Sequence, residues 1–300
     1  MRGVRIERHS FMKRKIRIGS RDSALAIKQA RIVMDAIADP SIELELVLIK
    51  TTGDKILDRS LDEIGGKGLF IKELEQALMS RSIDAAVHSY KDMPYEETDG
   101  LPIVAVSQRE MPFDVLVLPE GATELDKGKP VATSSRRRAI QFKRLYEGFE
   151  TMAIRGNVHT RLSKLDKGEC SALILAGAGL NRLGLQHRIS RVFTPDEMIP
   201  SGSQGIIAVQ CRQGEDHSYL DGFHDRESEI VSRAERRFLK TLGGGCTSPV
   251  AVYGQLINNE LLLTGMYVDD SNNVETGKIR GEASVAEELG ETLAKRLRGR

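Results

Sequence analysis

The chain has 300 residues, 40% of them hydrophobic, and its 44 Lys plus Arg against 43 Asp plus Glu leave a net charge of +1. That is enough apolar material for two or three small cores, and so even a balance argues against a nucleic-acid partner. No apolar run reaches membrane-spanning length and the basic extension 1–12 has no signal-peptide core, so a cytoplasmic protein with no membrane partner is expected.

In chain order, residues 15–19 alternate as a strand, Ser20-Arg21-Asp22-Ser23 supplies a polar turn with capping groups, and 24–37 has helical apolar spacing. Residues 41–50 alternate again as a half-buried strand. A polar stretch, 51–63, leads to Gly65-Gly66-Lys67-Gly68 and a helix predicted over 69–80. The run 83–87 reads as a buried strand ending on four clustered polar residues, His88, Ser89, Lys91 and Asp92. In open α/β sheets ligands sit at the carboxyl ends of strands, so Asp92 is the first candidate for chemistry. Strands at 101–106 and 113–117 flank a candidate crossover, 108–112. The opening pattern then returns: strand 130–133, polar turn 134–138, helix 139–146, strand 152–154, turn 155–157, helix 158–167 and strand 172–176. Two related α/β lobes with a cleft and a hinge follow from that repetition. A strand at 204–212 is placed to pair back with the first lobe. A helix at 225–242, strands at 250–256, 261–268 and 274–279, and a helix at 283–297 form a small α+β unit. The expected division is 13–108 with 205–222, 111–203, and 226–300.

Several motifs fail. Around Lys67, Leu61 stands where a phosphate loop needs its first glycine and Gly68 where it needs Ser or Thr. After 172–176, Arg182 occupies the third glycine position of a dinucleotide turn. The six histidines form no i, i+4 pair, so no metal is expected. Cys170, Cys211 and Cys246 are odd in number and lack C-x-x-C spacing, against a disulfide framework. What holds is a set of cations in turns after strands: Arg21, Lys67, Lys91, Arg137, Arg138, Arg155, Arg161 and Arg182. Gathered in one cleft they would repel one another unless a polyanion lay between them, and arginine's planar fork suits carboxylates and phosphates.

The stretches I-G-G-K-G-L-F, V-H-S-Y-K-D-M-P, T-S-S-R-R-R, R-G-N-V-x-T-R-L-x-K-L, A-G-L-x-R-L-G-L and L-G-G-G-C, six in order within a likeness that runs from about Lys15 to the last helix, resemble the porphobilinogen deaminase (hydroxymethylbilane synthase) family. The resemblance implies two lobes like type II periplasmic binding proteins, a third small domain, and a dipyrromethane cofactor on a cysteine. It implies a monomeric transferase of tetrapyrrole and haem biosynthesis, joining four porphobilinogen molecules head to tail with loss of ammonia and releasing hydroxymethylbilane. Each pyrrole carries an acetate and a propionate, which supplies the polyanion. By position, Asp92 matches the catalytic aspartate and Cys246 the cofactor cysteine. Lys67, Lys91, Thr133, Ser135, Arg137 and Arg138 match residues holding the cofactor; Arg21, Ser23, Arg155, Arg161, Arg182 and Gln204 match those around substrate and growing chain. Glu63, Arg136, His159 and Ser203 depart from the family pattern, Ser203 standing where glycine usually precedes Gln204.

An ordinary aspartate is ionised at neutral pH and an alkylamine leaving group is already ammonium. Asp92 is therefore expected to orient the pyrrole N–H and stabilise the cation left by ammonia. A non-catalytic two-lobed organic-anion binding protein is the alternative, and a phosphate-handling transferase a more distant one. Cys246 separates them, because a binding protein gives no reason for a thiol behind three glycines.

Overall fold

A computed structural model of the chain describes residues 13–51, 71–243, 249–269 and 271–299. Lys67 and its glycine loop, Glu63, Cys246 and the extension 1–12 lie outside the described residues. The first lobe runs β1 (Arg14–Arg21), α1 (Ala24–Ala36), β2 (Ile42–Ile49), α2 (Lys72–Met79), β3 (Ala85–Ser89) and β4 (Ile103–Val106). β1 lies parallel to both β2 and β3. Alternation sorts its side chains: Ile16 and Ile18 join Ala30 and Val33 of α1 on one face, while Leu74 and Leu78 of α2 pack with Ile83 and Ala86 on the other.

The second lobe runs β5 (Asp114–Val117), β6 (Val131–Ala132), α3 (Arg136–Leu145), β7 (Thr151–Met152), α4 (Val158–Asp166), β8 (Ala172–Ala176), α5 (Gly177–Arg182) and β9 (Arg191–Val192). Its sheet order is β7-β6-β8-β5-β9, with β5 antiparallel to β8. β10 (Ile207–Cys211) then returns to the first lobe, antiparallel between β3 and β4, completing β2-β1-β3-β10-β4. The two orders are the same, with β5 and β10 as counterparts. Each lobe thus takes one antiparallel strand beside a crossover, the two-lobed arrangement of type II periplasmic binding proteins with a hinge and a central cleft.

Several local expectations shift. The turn expected at 134–138 is already helix from Arg136, because Ser135 caps it there. The strand expected at 83–87 runs instead from Ala85 through Ser89, because β10 pairs opposite His88 and Ser89. The glycine turn after residue 176 is the start of a short helix, α5. Local apolar runs do not encode where a ladder partner ends.

The C-terminal domain is an α+β unit: α6 (Arg226–Thr241), then an antiparallel sheet of β11 (Ala251–Ile257), β12 (Glu260–Val268) and β13 (Val274–Glu282), and α7 (Ala286–Arg298). Phe238 of α6 and Leu293 and Leu297 of α7 bury against Val252 and Leu263 of the sheet. The same helix holds the hinge. Glu235, fully buried, accepts from Arg109 Nη1 at 2.7 Å on the first crossover, 108–112, from the Ser203 amide at 2.6 Å on the second, 201–205, which leads back into β10, and from Gly254 N at 2.7 Å. The crossovers also touch directly, Glu110 N donating to Gly205 O at 3.1 Å. Gly205 has φ +91°, and a Cβ there would lie 2.2 Å from Glu110 O, so only glycine fits without displacement.

Candidate active site

The parallel strands of both lobes deliver their carboxyl ends to the cleft, and α1 packs against α5 across it. After β3 the chain makes one 3-10 turn, Tyr90–Asp92. Tyr90 N donates to Ile206 O at 3.0 Å, and the buried Tyr90 ring lies under the Arg236 guanidinium of α6 at 4.4 Å. Arg236 also donates to Pro94 O. The turn is therefore braced from behind by the third domain, while Asp92 stays exposed at its tip.

The four polar residues expected here divide. His88 is buried in the sheet, and burial pushes its imidazole down to about 4, so it is neutral at physiological pH. Ser89 exchanges hydrogen bonds with the Gln29 side chain of α1. Lys91 instead reaches Gln204 Oε1 at 3.2 Å, and burial lowers its ammonium to about 8 against the opposing pull of Asp92.

Facing it, Ser135 caps α3 by accepting from Arg138 N at 3.4 Å, and Thr133 Oγ1 accepts from Ser135 N at 3.2 Å. That cap starts the helix so that Arg137 and Arg138 occupy its first turn. Both side chains are buried and converge on Asp114, the first residue of β5, which sequence reasoning passed over. Arg137 Nη1 reaches Oδ2 at 2.6 Å, and Arg138 meets Oδ1 through Nη2 at 2.7 Å and Nε at 2.9 Å. Burial alone would raise the Asp114 carboxyl, but the two guanidiniums hold it far below the usual range. Gln204 Nε2 donates to Asp114 Oδ1 at 2.9 Å and to Pro112 O at 2.6 Å, while its Oε1 accepts from Lys91 and, at 3.3 Å, from Arg138. The amide's donors and lone pairs are all in use, joining Lys91 of one lobe to Arg138 of the other.

The remaining cations are less satisfied. Arg161 donates to Gly156 O at 2.8 Å, and burial lowers it to about 10, with Arg138 and Arg155 adding repulsion. Arg182 reaches across to Gly205 O at 2.6 Å and is likewise lowered to about 10 by burial, with Glu110 opposing. Among the described residues neither these two nor Arg155, all half-buried, forms an ion pair with a carboxylate, whereas the more deeply buried Arg137 and Arg138 do. Arg21 ends β1, and Ser23 caps α1 by accepting from Ala26 N at 3.3 Å. Glu235 and Arg236 also escaped sequence reasoning; their only signal was a polar residue on the apolar stripe of 225–242.

The cleft is thus a basin of part-buried guanidiniums short of carboxylates, beside an exposed aspartate, and it fits a ligand with several carboxylates. No helix among the described residues is long and apolar enough to cross a membrane. Residues 16–220 match a family model described as porphobilinogen deaminase, dipyromethane cofactor binding domain, and 230–299 match one described as porphobilinogen deaminase, C-terminal domain. A porphobilinogen deaminase of Alkaliphilus oremlandii is 56% identical over 287 residues, covering 95% of this chain and 97% of its own. That of Acetivibrio thermocellus is 55% identical over 282 residues, covering 93% and 97%. Among solved structures, the methionine binding protein MetQ aligns with a TM-score of 0.44 at 11% identity over 73% of this chain and 94% of its own. Two family models in order, with relatives matched along nearly their whole length, place the chain in the porphobilinogen deaminase family, transferases that work on a dipyrromethane cofactor.

Proposed function

We propose that Asp92 stands at the reacting centre of this enzyme and that Cys246 carries its dipyrromethane primer. The reaction joins four porphobilinogen molecules head to tail with loss of ammonia from each, then releases hydroxymethylbilane by hydrolysis. The bound primer supplies the pyrrole carbon on which the chain grows. Lys91, Thr133, Ser135, Arg137 and Arg138, with Lys67, bind its carboxylates. Arg21, Ser23, Arg155, Arg161 and Arg182 receive the acetate and propionate groups of the incoming pyrrole and of the lengthening product. Gln204 spans the two groups of residues.

Asp92 acts as an ionised carboxylate that orients a pyrrole N–H and stabilises the positive charge developing as ammonia leaves. Its exposed position at the tip of a turn pinned by Ile206 and Arg236 suits that role, because a fixed charge needs no reorganisation during the step. The observation that carries the reading is the trio Arg155, Arg161 and Arg182, part-buried and without a carboxylate partner among the described residues. Such cations retain full value only for an anionic ligand.

The test is intact-protein mass spectrometry together with turnover. The purified chain is expected to carry an adduct of two pyrrole units that is lost in Cys246→Ser. Asp92→Asn should fold and lose turnover, and Asp92→Glu should retain roughly a hundredth, the scale of a 1 Å misplacement. A bare chain would favour a non-catalytic organic-anion binding protein, and near-normal turnover in Asp92→Asn would remove the aspartate from the chemistry. The same reading takes the enzyme to be a cytoplasmic monomer, and sedimentation of the purified protein checks the monomer.

A further inference from the structure

We propose that Asp114 is a positioning residue of this site, an internal counter-ion that holds the Arg137 and Arg138 guanidiniums in their ligand-receiving arrangement before any anion arrives. Neighbouring residues on a helix point about 100° apart, so two consecutive arginines do not converge unless something draws them together. Here one carboxylate does so, with a separate oxygen for each guanidinium. Asp114 has no exposed surface, and Arg137 and Arg138 are 5% and 7% exposed. Backbone carbonyls complete the cage: Arg137 Nη1 donates to Ile199 O at 2.8 Å and Arg138 Nη1 to Ile174 O at 3.3 Å.

Three consequences follow for a carboxylate-rich ligand. One negative and two positive charges leave the triad at +1, so the site stays attractive while the repulsion between the arginines is cancelled. Both side chains are ordered in advance, so the ligand does not bear the entropy of fixing them. Through Gln204, which donates to Asp114 and accepts from Lys91, the same carboxylate also sets where the cation of the opposite lobe lies. Asp114 itself has no exposed surface to offer a ligand; it acts through the arginines.

The inference rests on the reading of Arg137 and Arg138 as primer-holding residues, and the experiment separates the two. Asp114→Asn, Arg137→Gln, Arg138→Gln and the double variant Asp114→Asn with Arg137→Gln are purified. The fraction of chains carrying the primer is read by intact mass, at a temperature where circular dichroism shows each variant folded. Asp114→Asn is expected to lower that fraction roughly tenfold, since loss of preorganised geometry commonly costs one to two orders of magnitude. A folded Asp114→Asn with an unchanged fraction overturns the proposal, because a purely structural aspartate would lower the melting temperature alone. Should Asp114→Asn not fold, the double variant restores the net charge of +1. Its primer fraction is then expected below that of Arg137→Gln alone, and equality overturns the proposal. If instead both arginine variants retain full primer, the reading of the arginines fails.

Discussion

Lys91 sits where burial and charge meet: desolvation lowers its ammonium to about 8, with Asp92 pulling the other way and Arg138 adding repulsion. An ordinary lysine titrates near ~10.4, so this one carries its full charge only below about pH 8 and loses it as pH rises through that value. Carboxylates bind the cationic form. Loading of the bare chain with its primer, read by intact mass, is therefore expected to fall above about pH 8 along a one-proton limb. Lys91→Arg, cationic at all accessible pH, should move that limb to higher pH while lowering the maximum, because arginine does not reproduce the point contact with Gln204. A limb that stays in place would assign the ionisation to another group. His88, two residues before the turn, adds no charge to the cleft, since its depressed value keeps it neutral across the same range.

At the scale of elements, the cleft is assembled from helix starts and one long helix. Ser23, Ser135 and Asn157 cap α1, α3 and α4, and each cap fixes where the cation beside it points. α6 works differently, since its buried face carries the Glu235 carboxylate to both crossovers and the Arg236 guanidinium to Tyr90. Glu235→Gln leaves Arg109, only 13% exposed in its side chain, without a counter-charge. The expected cost is about 3 kcal/mol in urea unfolding, the scale for removing one partner of a buried pair. A change under roughly 0.5 kcal/mol would show that Arg109 is satisfied without the carboxylate, and that the third domain is held to the hinge by apolar packing.

For the molecule as a whole, the hinge is two short crossovers in contact, and their geometry explains a departure visible in the chain itself. Ser203 stands where the family pattern has glycine, and it adopts φ +60° with its hydroxyl buried and without a hydrogen-bond partner among the described residues. A side chain in that region costs ~1 to 2 kcal/mol, partly offset by the extra freedom glycine has when unfolded. Ser203→Gly is therefore expected to raise unfolding stability by about 1 kcal/mol, read from the urea midpoint at unchanged slope. A lower midpoint would show that the serine relieves more strain than it imposes.

The βα order of both lobes, a returning strand (expected at 204–212, formed over 207–211), the C-terminal α+β unit and the family could all be read from the amino acids alone. Those features rest on period-2 and period-3.6 apolar spacing and on contiguous motifs, which are local. Asp114 could not be recognised: it stands at the head of an apolar strand, and its meaning lies in residues 137, 138 and 204, brought to it only when β5 joins the second lobe. Glu235 looked like one more charge on an amphipathic helix until the crossovers closed on it. His88 and Ser89 looked like part of the site until β10 paired beside them and turned both into the lobe. Covalent order determined which elements form and which chemistry they carry; long-range strand pairing and buried charge compensation, absent from any short window of sequence, decided which side chains face the ligand and which hold the others in place.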